Sequence, residues 1–323
     1  MKVGIIGAGS IAGTMAGTIR EMDCAQNYAV AARDYGRAAE FAQTYGFEKA
    51  YGSYEELVED AGVELVYIAT PHSHHYEHIK LCLNHGKHVL CEKSFTVNES
   101  QAREVLALAR EKKLLLTEAI WTRYMPMRKT LDSVLSSGVI GRPYMRTANL
   151  GYIISGKERI MRPELAGGAL LDVGIYPLNF ASMVFGDEVD SITGTAVMTE
   201  TGVDAQNSIT ITYKDGKMAA LCSSAMGLSD RRGIIYGDNG FIEVENINNC
   251  EGIRVYDRSR NMIASYDTPK QISGYEYEVE ACLRAIKEGA LECPEMPHEE
   301  TLRMMGWMDE LRRQWGLVYP MER

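Results

Sequence analysis

Residues 1–20 read MKVGIIGAGSIAGTMAGTIR. An apolar run from Val3 to Ile6 stops at Gly7, and a helical pattern starts a few residues later. Gly7, Gly9 and Ala12 form a G-x-G-x-x-A turn at that junction. The first glycine permits a tight turn, the second lets a ligand approach the backbone, and Ala12 takes the place of the third small residue at the helix–strand contact. The N–H groups at the start of such a helix favour an anion. The stretch therefore predicts a strand–turn–helix unit that holds a dinucleotide pyrophosphate, with Gly7, Gly9, Ser10, Ile11 and Ala12 around it.

The alternation continues to about Ala119. YAVAA, LVYIAT, HVLCE and LLLTEA are short apolar runs, and helical patterns lie near 11–22, 35–45, 54–60, 75–85 and 98–112. This predicts a parallel, doubly wound sheet with ligands at the carboxyl ends of its strands. After Trp121 the pattern changes. A helix near 124–137 precedes β-rich runs separated by KDGK and GDNG, turn signals that suit antiparallel hairpins. A helix near 169–185 interrupts them, and amphipathic helices over 274–290 and 298–316 follow. The expected division is a Rossmann domain over 1–121 and a second α/β domain, for substrate binding and oligomerisation, over 122–323.

The chain has 323 residues, 46% of them hydrophobic, which is enough for two cores. Its formal net charge is -10, and no basic run is interleaved with aromatics, so nucleic acid is not an expected partner. Seven cysteines without a C-x-x-C pair read as reduced thiols of a cytoplasmic protein. With neither a signal-peptide pattern nor an apolar span of ~18 residues, no membrane is expected.

The strand ends carry the chemistry. In VAARDYGRAAEF, Arg33 and Asp34 follow the second run. A carboxylate at that point would hold a ribose 2′-hydroxyl, whereas a guanidinium suits a 2′-phosphate. Ala32 stands where an NAD site usually has its carboxylate, so NADP(H) is favoured over NAD(H), with Asp34 also readable as a helix N-cap. IATPHSHHYEHIK places Thr70, Pro71, His72 and His75 at the crevice as cofactor contacts. No cysteine or carboxylate set completes a coordination shell there, and no metal is called for.

In KHVLCEKSFTVNES, Glu92 and Lys93 end a buried run on the same carboxyl edge. A hydride leaving a carbinol carbon makes the oxygen lose a proton, so a donor and acid/base pair belongs beside it; the plain alternative for Lys93 is a salt bridge with Glu92. In GGALLDVGIYPLNF, Asp172 and Tyr176 are four residues apart and share a face if the helix has begun. Alone they would read as an N-cap and a core residue. With Lys93 from the other domain, an interdomain cleft would gather a lysine, a carboxylate and a phenol around one substrate hydroxyl. Tyr176 would be the acid/base, favoured as phenolate by cationic neighbours, Lys93 the electrostatic tuner and proton partner, and Asp172 the orienting group.

The order GxGxxA, TPHSHHYEHI, GKHVLCEKS and GGALLDVGIY resembles the glucose-fructose oxidoreductase and inositol dehydrogenase (Gfo/Idh/MocA) family across nearly the whole chain. TEAIWTRYMP and GGALLDVGIYPLNF look most like its branch of dimeric dihydrodiol and NADP-dependent D-xylose dehydrogenases. The resemblance implies a Rossmann domain followed by an α/β domain with a large, open, mostly antiparallel sheet whose outer face pairs subunits as a homodimer or homotetramer. It implies that Lys93 matches the lysine of a Glu-Lys-Pro signature, with Glu92 at the cofactor, and that Asp172 and Tyr176 match an Asp-x-x-x-His/Tyr pair. Trp121 and Arg123 match a cleft-lining segment, and Arg162 an arginine of the substrate loop. Ser94 replaces the signature proline, which removes a constraint on φ and restores an N–H. Tyr176 stands where many members have histidine.

The expected activity is hydride transfer between NADP(H) and a carbinol or carbonyl carbon of a sugar, polyol or cyclic diol. A non-catalytic dinucleotide-binding sensor is the alternative, and a cofactor retained between turnovers is a third arrangement. The loop 152–166 also carries Lys157 and Arg159, readable as contacts to hydroxyls or a carboxylate, or as solvated charges.

Overall fold

Strands β1 (Lys2–Ile6), β2 (Gln26–Ala31), β3 (Lys49–Tyr51), β4 (Leu65–Ile68), β5 (His88–Glu92) and β6 (Leu116–Ala119) form one parallel sheet. Their order is β3-β2-β1-β4-β5-β6. The computed structural model describes residues 1–323. The connecting helices are α1 (Ser10–Arg20), α2 (Tyr35–Tyr45), α3 (Tyr54–Glu59), α4 (His72–Asn84) and α5 (Glu99–Lys112). Local sequence fixes their starts. Asp34 accepts the Arg37 N–H at 2.8 Å to cap α2, Ser53 and Glu56 form a capping box on α3, and Asn98 accepts the Gln101 N–H on α5. Ala12, Met15, Ala16 and Ile19 are the buried stripe that seats α1. The sequence reading has no strand at β3, whose three half-exposed residues carry too little pattern to register.

The chain packs as two compact units, Met1–Tyr124 with Gln271–Met305, and Met125–Lys270 with Gly306–Arg323. The return of 271–305 to the first unit differs from the expected single domain over 122–323. Within the first unit this segment covers the sheet at β6, where the Leu116 N–H donates to the Leu291 carbonyl at 3.1 Å and His298 Nε2 lies 2.9 Å from the Leu116 carbonyl. An edge strand so paired is closed to other chains. The returning segment contains α9 (Glu276–Glu288) and the start of α10 (His298–Trp315); α6 (Pro126–Ser136), α7 (Glu158–Met161) and α8 (Ile175–Phe185) belong to the second unit.

The second sheet has eight strands: β7 (Pro143–Gly151), β8 (Val189–Met198), β9 (Asp204–Tyr213), β10 (Met218–Ser224), β11 (Gly233–Gly237), β12 (Gly240–Glu245), β13 (Gly252–Asp257) and β14 (Met262–Asp267). The order is β14-β13-β12-β11-β7-β10-β9-β8, and every neighbouring pair is antiparallel except β7 and β10. Along β9 and β10 burial alternates residue by residue, so one face is packed and the other open. Helix α8 lies on the packed face, anchored by Arg146, whose guanidinium donates to the Phe180 carbonyl at 2.9 Å and sits 4.3 Å from the Phe185 ring centre. The apolar segment Pro163–Phe185 is a correction to the expectation that no such span exists; 89% of its most apolar stretch is buried inside the protein, as a core helix requires.

Candidate active site

At the end of β1, Gly7 has φ +103°, and a Cβ there would lie 3.0 Å from the Ala69 carbonyl oxygen, so the turn requires glycine. Gly9 is the opposite case. A Cβ built on it meets nothing within 4 Å. Gly9 is also the N-cap of α1 and supplies no side-chain cap, which leaves the first-turn N–H groups to an outside acceptor. An open backbone face at a helix start fits a dinucleotide pyrophosphate. Ala12 is fully buried at the helix–sheet contact, and Ser10 and Ile11 open the helix.

At the end of β2, Asp34 is committed to capping α2, which leaves the exposed Arg33 as the group free to meet a ribose substituent. Its charge acts on Tyr54, His74 and His78, and that of Arg37 acts on Tyr54 too. The Arg37 guanidinium donates to the Ala8 carbonyl in the glycine turn at 2.8 Å. Two guanidinium groups therefore attend the same edge.

The ends of β4 and β5 are joined by His75. Its ring nitrogens lie 2.8 Å from the Ser94 carbonyl and 2.8 Å from the Thr70 carbonyl, and burial depresses its pKa to about 4. Neutral at that pKa, His75 has one N–H and donates to only one of these carbonyls, so it ties one strand end by a hydrogen bond and packs against the other. Thr70 Oγ1 lies 3.0 Å from His78 Nδ1, Pro71 is the N-cap of α4, and His72 is buried at its first position. Lys93 leaves β5 on this edge, and its peptide bond to Ser94 is cis. The following turn is fixed by Glu118, which accepts the Phe95 N–H at 3.1 Å; burial pushes its carboxyl up to about 7, against the lowering charge of Arg123. Glu92 is buried and accepts a hydrogen bond from Tyr67. Trp121 stacks on Tyr275 with ring centres 4.2 Å apart, and Arg123, 8% exposed, donates to Glu300 at 2.5 Å.

In the second unit, Leu170–Gly174 is one turn of π-helix leading into α8. Asp172 lies in the wide turn and Tyr176 in the α-helix after it, both buried. The cap is not Asp172. Asp204 of β9 accepts the Leu170 N–H at 2.8 Å and the Asn207 amide at 2.9 Å. Asp172 instead receives the Arg159 fork, Nη1 to Oδ1 at 2.8 Å and Nη2 to Oδ2 at 3.4 Å. Arg162 pairs with Glu158 at 2.7 Å on the exposed face of α7. A single-turn π-bulge is a common device at functional sites.

The model of the oxidoreductase family with an NAD-binding Rossmann fold matches residues 1–120, and that of the GFO/IDH/MocA C-terminal domain matches 129–243. Trans-1,2-dihydrobenzene-1,2-diol dehydrogenase of Xenopus tropicalis is 34% identical over 99% of both chains. The human enzyme of that name is 34% identical over 100% of this chain and 99% of its own. The protein belongs to the Gfo/Idh/MocA oxidoreductase family. Its fold is also that of a 3-ketoreductase from Actinomadura kijaniata solved with NADP and TDP-benzene, at TM-score 0.90, 24% identity and 97% coverage of each chain. An aldose-aldose oxidoreductase from Caulobacter crescentus superposes at TM-score 0.88 with 18% identity, again over 97% of each. This Gfo/Idh/MocA member is an NAD(P)-dependent oxidoreductase.

Sequence reading of this family member passed over Arg37, Asp204 and Glu118, and gave Arg159 only a general role. Arg37 had a signal, one helical turn beyond Arg33. Asp204 and Glu118 had none, because each acts on a backbone N–H far away in the chain: Leu170 for one, Phe95 for the other.

Proposed function

We propose that the protein is an NADP(H)-dependent dehydrogenase that moves hydride between the nicotinamide and a carbinol or carbonyl carbon of a sugar, polyol or cyclic diol. The observation that carries this reading is a glycine turn open at Gly9 and a lysine, Lys93, on one carboxyl edge of one parallel sheet. Arg33, with Asp34 withdrawn into a cap and Arg37 beside the glycine turn, supports a 2′-phosphate rather than a bare ribose. The relatives named as diol dehydrogenases support a hydroxyl substrate.

NADP(H), when bound, supplies the hydride donor or acceptor. In the oxidative direction the substrate C–H bond gives up its electron pair as hydride and the O–H proton goes to the Tyr176 phenolate, so a carbonyl forms and charge balances. Lys93, on the sheet edge of the first unit, is the proposed electrostatic tuner and proton partner of the reaction, and Asp172, in the second, orients the hydroxyl. Trp121, Arg123 and Arg162 are weaker candidates for substrate contact, because Arg123 and Arg162 are each held by a glutamate and Trp121 is stacked.

The decisive experiment is a fluorescence titration with NADPH and NADH, then an absorbance screen of aldoses, inositols and cyclic diols with NADP+. Tighter NADPH binding and turnover of a panel member are expected; binding without turnover would favour a sensor. Lys93→Met should lower kcat by about a hundredfold or more with NADPH affinity kept, and wild-type turnover would remove the lysine from the reaction.

The open face of the eight-stranded sheet is the proposed seat of a second copy. Met262, Tyr256, Phe241, Tyr236, Met145 and Met218 are successive partners in one row across six strands, and none is buried. Such an apolar row suits a self-complementary interface, and a monomeric mass by light scattering would refute it. Seven free cysteines support a reducing, cytoplasmic location, which cell fractionation tests.

A further inference from the structure

The Arg159–Asp172 pair has an unusual foundation. Arg159 lies on α7, a helix of four residues in the loop between β7 and the π-turn, and so short a helix does not hold itself in place. Here the glycine pair Gly167–Gly168 holds it. The Gly168 N–H donates to the Ile160 carbonyl at 2.8 Å, and the Gly167 N–H to the Arg162 carbonyl at 3.0 Å. A Cβ on Gly167 would lie 2.5 Å from the Ile160 carbonyl oxygen and 2.7 Å from that of Arg159, so only glycine allows this approach. Tyr319, fully buried, donates to the Gly167 carbonyl at 2.6 Å and closes the seat from the other side.

From that seat the Arg159 guanidinium reaches both oxygens of Asp172 and fixes the plane of the carboxylate. The pair contributes little to stability, because the Arg159 side chain is 39% exposed. Its value lies in orientation.

We propose that Arg159 is a positioning residue that acts on the reaction through Asp172, by fixing its carboxylate, rather than by binding substrate. This rests on the reading that Asp172 serves the substrate hydroxyl. The test is a double-mutant cycle with Arg159→Ala and Asp172→Asn, using NADP+ and whichever of D-xylose and trans-1,2-dihydrobenzene-1,2-diol the wild type oxidises faster. Arg159→Ala should lower kcat about tenfold to a hundredfold while KM, the NADPH dissociation constant and the melting temperature stay near wild type. Arg159→Lys should recover only part of the loss, since one ammonium cannot engage both oxygens as a fork does. In the Asp172→Asn background, removing Arg159 should change kcat by less than about twofold.

A loss carried by KM would make Arg159 a substrate contact and overturn the proposal, as would a full multiplicative loss in the double variant. Wild-type turnover in Asp172→Asn would instead remove Asp172 from the chemistry, a failure of the underlying reading. Wild-type turnover in Arg159→Ala beside an impaired Asp172→Asn would remove Arg159 alone.

Discussion

Two glycine turns, one in each unit, use the same residue for opposite ends. At Gly7–Gly9 the strained glycine backs onto the Ala69 carbonyl and the second faces open space. At Gly167–Gly168 both glycines face the protein itself, the first against the α7 backbone and the second, at φ +108°, against the Asp204 carboxylate. The first turn leaves room for an anion at a helix start. The second spends its room on holding Asp172 and its partner Arg159. A glycine pair in sequence thus says that something approaches closely, and only the fold says whether that is a ligand or the chain.

The contrast is broken most severely at Gly168. A Cβ there would run into Asp204 Oδ1, and no L side chain is at ease at that φ. Gly168→Ala should therefore cost about 3 to 4 kcal/mol of unfolding free energy, from backbone strain and a displaced buried hydrogen-bonding group. Chemical denaturation measures it, and a loss below about 1 kcal/mol would mean the turn adapts and the glycine is not required.

Asp204 offers a second, smaller cut at the same turn. Burial raises its carboxyl to about 6, from 3.8, while the Leu170 N–H and the Asn207 amide pull it down. An acid with a raised pKa in the folded state contributes stability that is fully present below its unfolded pKa and is lost as pH rises through the folded one. The stability of wild type minus that of Asp204→Asn should then fall by up to roughly 3 kcal/mol between pH 4 and pH 7. A difference flat across that range would show that the aspartate is solvated rather than buried beneath the π-turn.

What the sequence made legible follows from the same contrast. The first turn carries its meaning locally: strand, glycines and helix are contiguous, so Gly7, Gly9 and a parallel, doubly wound sheet could be anticipated, though not its strand β3. The hairpin signals led to the antiparallel sheet, but β14 went unread, because its mostly exposed residues alternate weakly. The second turn was misread in detail. Asp172 as an N-cap is the natural local guess, yet the cap comes from Asp204, 34 residues beyond the capped Leu170. Likewise the return of Gln271–Met305 to the first unit depends on contacts with β6 that leave no periodicity in either segment. Residues whose partners lie far along the chain are the ones that pattern reading cannot place.

The gentlest test falls on Gly9. Its φ of -96° and ψ of -175° suit any residue, and an added methyl meets nothing within 4 Å; the reduced freedom of the unfolded chain offsets alanine's poorer fit at an N-cap, so Gly9→Ala should leave the unfolding free energy within about 1 kcal/mol of wild type. The same methyl would project into the space in front of the first-turn N–H groups, where a pyrophosphate must come close to the backbone. NADPH affinity should fall about tenfold to a hundredfold, equivalent to roughly 1.4 to 2.8 kcal/mol, with NADH weakened by the same factor because both share the pyrophosphate. Loss of binding without loss of stability is the signature of a glycine kept for a ligand. If affinity is unchanged, the open face at Gly9 is not where the cofactor lies; if stability falls instead, the two turns are alike after all, each kept for the chain.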